Sequence, residues 1–131
     1  MSEGKSIEIE IDMGKYITVV LPLDEAEKLL REITRKLGYE TQDVSETLRY
    51  LRNFDAFYEV MKKKFKDYLV PPKSMNDMIK GTVIVDRVKL IKEGESKLAA
   101  LTFDRRVDLD KIVEVLKDMG YKVEVKRRTL A

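Results

Sequence analysis

Ser6-Ile-Glu-Ile-Glu-Ile-Asp12 is followed, after Met13-Gly14, by Lys15-Tyr-Ile-Thr-Val-Val-Leu21. The first segment alternates apolar and acidic residues at period two, as a strand with one buried and one wet face does, and the second resumes the alternation beyond a glycine turn. Together they predict a β-hairpin, which Pro22 ends because proline cannot donate to a ladder. From Asp24 the period changes to three and four. Ala26, Leu29, Leu30, Ile33 and Leu37 form one helical stripe, Asp24 and Glu27 are spaced as a capping box, and Gly38 stands where a helix stops.

Thr41 is placed to cap a second helix, whose stripe runs through Val44, Leu48 and Leu51 and on through Phe54, Phe57, Tyr58, Met61, Phe65 and Tyr68. This is one long helix, or two with a break near Asn53-Phe54 and Asp55 as the new cap. Pro71-Pro72 ends it. From Thr82 to Ile91 the chain is largely β-branched, Lys92 to Ser96 turns, and Lys97 to Phe103 returns as a second hairpin. Asp108 is placed to cap a last helix carrying Leu109, Ile112, Val113, Leu116 and Met119, with Gly120 closing it before the strand Tyr121-Lys-Val-Glu-Val125.

These elements predict an α+β fold: an antiparallel sheet of two hairpins and a C-terminal strand, packed on one face by three to four helices. The 131 residues suit a single domain. Within it, residues 1–70 form a hairpin-plus-helices unit, residues 71–79 a linker, and residues 80–131 a hairpin-helix-strand unit.

The chain contains no histidine and no cysteine. Without them it lacks the side chain that titrates near neutrality, the thiolate nucleophile, the disulfide and the usual zinc ligands. Among the carboxylates, Asp104, Asp108 and Asp110 could be read as a magnesium set, but capping and dipole compensation account for acids near a helix start. No phosphate-cradling glycine loop or nucleophile elbow is present. The expectation is a protein without catalytic residues, metal or cofactor. No apolar run reaches the length of a membrane span and no signal segment is evident, so a cytoplasmic, membrane-free location is expected.

Charged residues make up 38% of the chain, whereas Gln occurs once, at Gln42, and Asn twice, at Asn53 and Asn76. Dense mixed charge with few thermolabile amides is the compositional mark of a hyperthermophile, here expected to be archaeal. Residues 1–52 hold 8 basic and 11 acidic groups, a net −3, and residues 53–131 hold 18 and 13, a net +5. A phosphate-binding surface should therefore draw mainly on the later part. Lys62, Lys63, Lys64 and Lys66 share a segment with Tyr58 and Tyr68. Lys126, Arg127 and Arg128 form a basic tail, and Arg49 and Arg52 precede the aromatic segment. Arg87, Lys89, Arg105 and Arg106 add further positive groups.

Cations interleaved with aromatic rings suit single-stranded nucleic acid, since every base offers a π-face and every nucleotide a phosphate. The expected function is non-enzymatic binding of DNA, as single strands. Arg49, Arg52, Lys62, Lys63, Lys64, Lys66, Lys126, Arg127 and Arg128 would gather into one strip on the phosphates, and Tyr50, Tyr58 and Tyr68 would stack on bases.

Residues 15–52, from Lys15-Tyr-Ile-Thr-Val-Val-Leu-Pro22 through the Asp24 helix and Leu37-Gly-Tyr39 to the Thr41 helix, resemble the ribbon-helix-helix DNA-binding family. The resemblance implies a homodimeric transcription regulator whose ribbon enters duplex DNA, with Tyr16, Thr18 and Val20 facing bases and the Thr41 helix start on a phosphate. In overall architecture and compositional style the chain is also similar to ThermoDBP, the small single-stranded DNA-binding proteins of hyperthermophilic archaea. A third reading is a structural or interaction subunit, cellular or viral, whose aromatic stripe meets a protein partner.

Overall fold

The computed structural model describes residues 5–64 and 66–128. Its first hairpin joins β1 (Lys5–Ile11) to β2 (Ile17–Pro22), with Ile9 opposite Val19 and Ile11 opposite Ile17. Period-two geometry sends Ile7, Ile9 and Ile11 into the core and turns Glu8 and Glu10 outward. In the turn, the Asp12 carboxylate accepts the Tyr16 N–H at 3.0 Å. Lys15, not Gly14, takes the left-handed conformation, at φ 69°.

Helix α1 (Leu23–Leu37) starts two residues earlier than the Asp24 capping box requires: Pro22 is its N-cap, and Asp24 and Glu25 lie in the first turn, facing the positive end of the helix dipole. Gly38, at φ 83°, ends it by donating to the Thr34 carbonyl. Helix α2 (Gln42–Arg52) follows Thr41, whose hydroxyl finds no hydrogen-bond partner among the described residues. The working residue at this helix start is Asp43. Fully buried, its Oδ2 accepts the N–H groups of Ile84 at 2.9 Å and Val85 at 2.6 Å, tying α2 to the chain that enters β3.

The long aromatic stripe is two helices. After a break at Asn53, which also serves as N-cap in place of the expected Asp55, α3 runs from Phe54 to Lys63. It stops well before Pro71-Pro72, and Phe65 lies outside the described residues. The chain then follows the outer edge of β3. Leu69 and Val88 exchange backbone hydrogen bonds at 2.7 and 2.9 Å, and the Lys73 ammonium donates to the carbonyls of Asp86 and Pro71. The expected linker largely folds as a short helix, α4 (Met75–Lys80), capped by Ser74.

The second hairpin is β3 (Val85–Glu93) with β4 (Ser96–Phe103). Helix α5 (Leu109–Asp118), capped by Asp108, leads to β5 (Tyr121–Arg127). The fold is α+β, as expected, with strand order β3-β4-β2-β1-β5. It differs in two details: β5 runs parallel to β1, so the sheet is mixed, and the helices number five among the described residues. One apolar cluster joins the inner face of the sheet to α1, α2, α3 and α5, and residues from both halves of the chain contribute, among them Ile9, Leu29, Leu101 and Ile112. The opposite face of the sheet is open, with Val20 at its middle 44% exposed.

Candidate nucleic-acid interface

Helix α3 brings its lysines to the edge of the sheet because its other face is apolar. Phe54 and Met61 are buried, Phe57 and Tyr58 pack against the same core, and the lysines are left to solvent. Lys62 and Lys63 occupy the last turn, where cations suit the helix dipole. Just beyond, a backbone bond from Lys66 N to the Met61 carbonyl folds Lys66 back beside them.

Helix α3 packs against β3, and a shallow groove of about 220 Å³ opens between them. Lys62 and Lys66 line one wall and Lys89 and Lys92 the other, with Tyr58 and Met61 at the base and Asp67 as the single acid. Lys92 alternates to the helix side of β3, while Lys89 points to the open face and reaches the groove over the strand edge. Lys62, Lys66 and Lys89 have no ion-pair partner among the described residues. Lys92 lies 3.8 Å from Asp55, which is held chiefly by Lys97 at 3.0 Å. The Lys97 hydrogen bond keeps the Asp55 carboxyl below its ordinary pKa, with both lysines adding in the same direction.

Two of the three expected tyrosines belong to this edge. The Tyr58 ring lies under the ammonium groups of Lys92, at 4.7 Å, and Lys62, at 5.8 Å, so it positions cations. Tyr68 stands further along, 43% exposed, with the Arg87 guanidinium 5.3 Å from its ring centre. Tyr50 does not join them. It is 7% exposed, its ring against Phe57 at 4.7 Å, and burial pushes its hydroxyl pKa up.

The basic residues expected to form one strip divide into three groups. Lys62 and Lys66 converge on the groove, with Lys63 and Lys64 exposed beside them. Arg49 and Arg52 face acids instead: Arg49 binds Glu46 at 2.7 Å and lies over Phe57, and Arg52 binds Glu27 at 3.2 Å. The Glu46 hydrogen bond raises the Arg49 pKa further. The C-terminal group sits on β5, at the opposite edge of the sheet, four strand spacings or roughly 19 Å from β3. There Lys126 is 3.9 Å from Glu8 and Arg128 is 3.2 Å from Glu10, while Arg127 is exposed.

Lys89 and Lys92 complete the groove; Lys89 was expected only as a further positive group and Lys92 not at all, so neither stood among the residues expected to hold phosphate. The only sequence signal for them is that a β-branched strand carries lysines at both parities, which matters only once its neighbour is known. The Asp104 carboxylate is taken up by Arg106, through the side chain at 3.0 Å and the backbone N–H at 2.9 Å. Asp108 is engaged as the α5 cap. Among the described residues no helix is long and apolar enough to cross a membrane.

No known family matches this chain, and neither the curated proteins nor the solved structures contain a match.

Proposed function

We propose that this protein binds single-stranded nucleic acid, DNA in the first instance, without catalysing a reaction on it. The observation that carries the reading is the β3-edge groove, where four lysines surround one cleft against a single acid. This concentration of positive charge, with Lys92 alone of the four lysines near an ion-pair partner among the described residues, attracts a polyanion, and Tyr68 with Arg87 extends it along the edge with a ring on which a base can stack. Phosphates are held by Lys62, Lys66, Lys89 and Lys92, with Lys63 and Lys64 broadening the field.

The test is a titration of a fluorescent single-stranded oligonucleotide at several salt concentrations. Each lysine–phosphate contact with a single strand contributes about −0.7 to the slope of log K against log salt, so four predict roughly −3. Absence of binding at low salt, or binding indifferent to salt, contradicts the proposal.

The ribbon-helix-helix reading predicts preference for duplex. In this fold β2 already pairs on both sides, with β1 and β4, so a ribbon shared with a second chain requires one of those ladders to open. Competition between duplex and single strand separates the two readings. A thermophilic source is supported by ion pairs that share partners, such as Glu27 with Arg31 and Arg52, and Lys36 with Glu114 and Asp118.

A further inference from the structure

We infer that the open face of the sheet is the contact surface for a second copy of this chain, in a two-fold, face-to-face pair. The argument comes from register. Across the strands in spatial order β3, β4, β2, β1, one outward row reads Arg87, Thr102, Thr18, Glu10. Extending the same registers, the next row reads Lys89, Ala100, Val20, Glu8, and the third reads Ile91, Leu98, Pro22, Ser6. The face is thus basic along β3, small and apolar or hydroxyl-bearing along β4 and β2, acidic along β1 and mixed along β5, which sets Lys126, Glu124 and Lys122 level with Glu10, Glu8 and Ser6.

A two-fold axis parallel to the strands and midway between β4 and β2 exchanges β3 with β1 and β4 with β2, and keeps each row at its own level. Arg87 then meets the partner's Glu10, Lys89 meets the partner's Glu8, and Ala100 meets the partner's Val20. Within the four strands that overlap, each charge falls opposite its complement and the middle covers itself, as an isologous interface requires, while β5 lies outside the overlap. Sheets stacked face to face cross at up to about 30°, so the registration is tightest for Ala100 and Val20 beside the axis and looser for the outer charges. Val20, 44% exposed at the centre, is the apolar side chain that this contact removes from water. Among the described residues the ion-pair partners of Glu8 and Glu10 are the exposed Lys126 and Arg128, which a second copy would have to share.

The overlap spans four of the five strands at about 4.8 Å and three rows at about 6.7 Å, smaller than the roughly 800 Å² per partner of a standard interface. Self-association is therefore weak and visible only at high concentration. The helix-side lysines of the groove stay in solvent on the two flanks of the pair. The inference does not depend on nucleic-acid binding: Glu8 and Val20 lie outside the groove, whereas Lys89 belongs to both surfaces.

Sedimentation equilibrium of the full chain up to roughly 1 mM tests it, a range that captures weak dimers. The expected result is a reversible dimer that Lys89→Glu and Glu8→Lys each weaken at least about tenfold, because like charges then face each other twice per pair. Mixing the two variants restores association, since each altered side chain meets the other's. Val20→Lys gives a monomer, with circular dichroism confirming that it stays folded. A wild-type monomer throughout the range, a dimer insensitive to all three substitutions, or no rescue in the mixture overturns the inference. So does loss of oligonucleotide binding in a Val20→Lys protein whose parent never dimerises, which assigns the face to nucleic acid.

Discussion

The two edges of the sheet both end in clusters of lysine and arginine, yet only one accumulates charge. β5 lies parallel to β1 in a register that sets Lys126 level with Glu10 and beside Glu8, so its cations meet acids on the neighbouring strand. Among the described residues the outer side of β3 has no strand beside it apart from the Leu69–Val88 bridge, and what approaches is the lysine-bearing end of α3. A basic run becomes a binding surface when its neighbours in space are also basic, and becomes a solvated ion-pair edge when they are acidic. Local sequence is nearly the same in both cases.

The largest effect expected from breaking this comparison is at Asp43, whose carboxylate anchors the entry to β3. Asp43→Ala leaves two buried N–H groups without an acceptor and should cost roughly 2–5 kcal/mol in urea unfolding. Hydrogen exchange should rise at Ile84 and Val85 while β5 keeps its protection. Equal loss at both edges would show that the groove is not separately anchored.

A smaller effect concerns pH. The folded Asp55 pKa is depressed by Lys97 and Lys92, so its ion pairs are intact above the ordinary carboxylate value and are lost as pH falls through the lower folded one, that is, below about pH 4. Protonation frees Lys92 for the groove. Oligonucleotide affinity at fixed salt should therefore rise at the acid end, and Asp55→Asn should give part of that rise at neutral pH. The smallest effect is expected at the β5 edge, where Lys126→Ala removes an exposed pair and should change unfolding free energy by less than about 0.5 kcal/mol.

The elements with strong periodicity could be read before any coordinates. β1 and α1 carry their apolar residues at two and at three-to-four because each has one face in the core, and Gly38 ends α1 where expected. Elements without that signal were missed. Met75, Met78 and Ile79 of α4 remain exposed, so no stripe distinguishes this turn of helix from a linker. The parallel pairing of β5 with β1 joins residues more than a hundred positions apart, and neither strand's pattern specifies which neighbour it takes. The site followed the same rule. Lys62, Lys66, Tyr58 and Tyr68 stood out as a local run, whereas Lys89 and Lys92 count only because α3 packs on β3. Tyr50 looked available because helical spacing alone does not show that Phe57 covers its ring.

The most direct test sets one edge against the other in a single assay. Lys62→Glu with Lys66→Glu, and separately Lys126→Glu with Arg128→Glu, change the net charge equally, and each protein is titrated with the same single-stranded oligonucleotide at low salt. The β3-edge pair should weaken binding by at least about tenfold and reduce the salt slope by roughly 1.4, two phosphate contacts at about 0.7 each, while the β5-edge pair stays close to the parent. Equal losses from both pairs would mean that the protein attracts polyanions through overall charge alone, and the groove would have no special part.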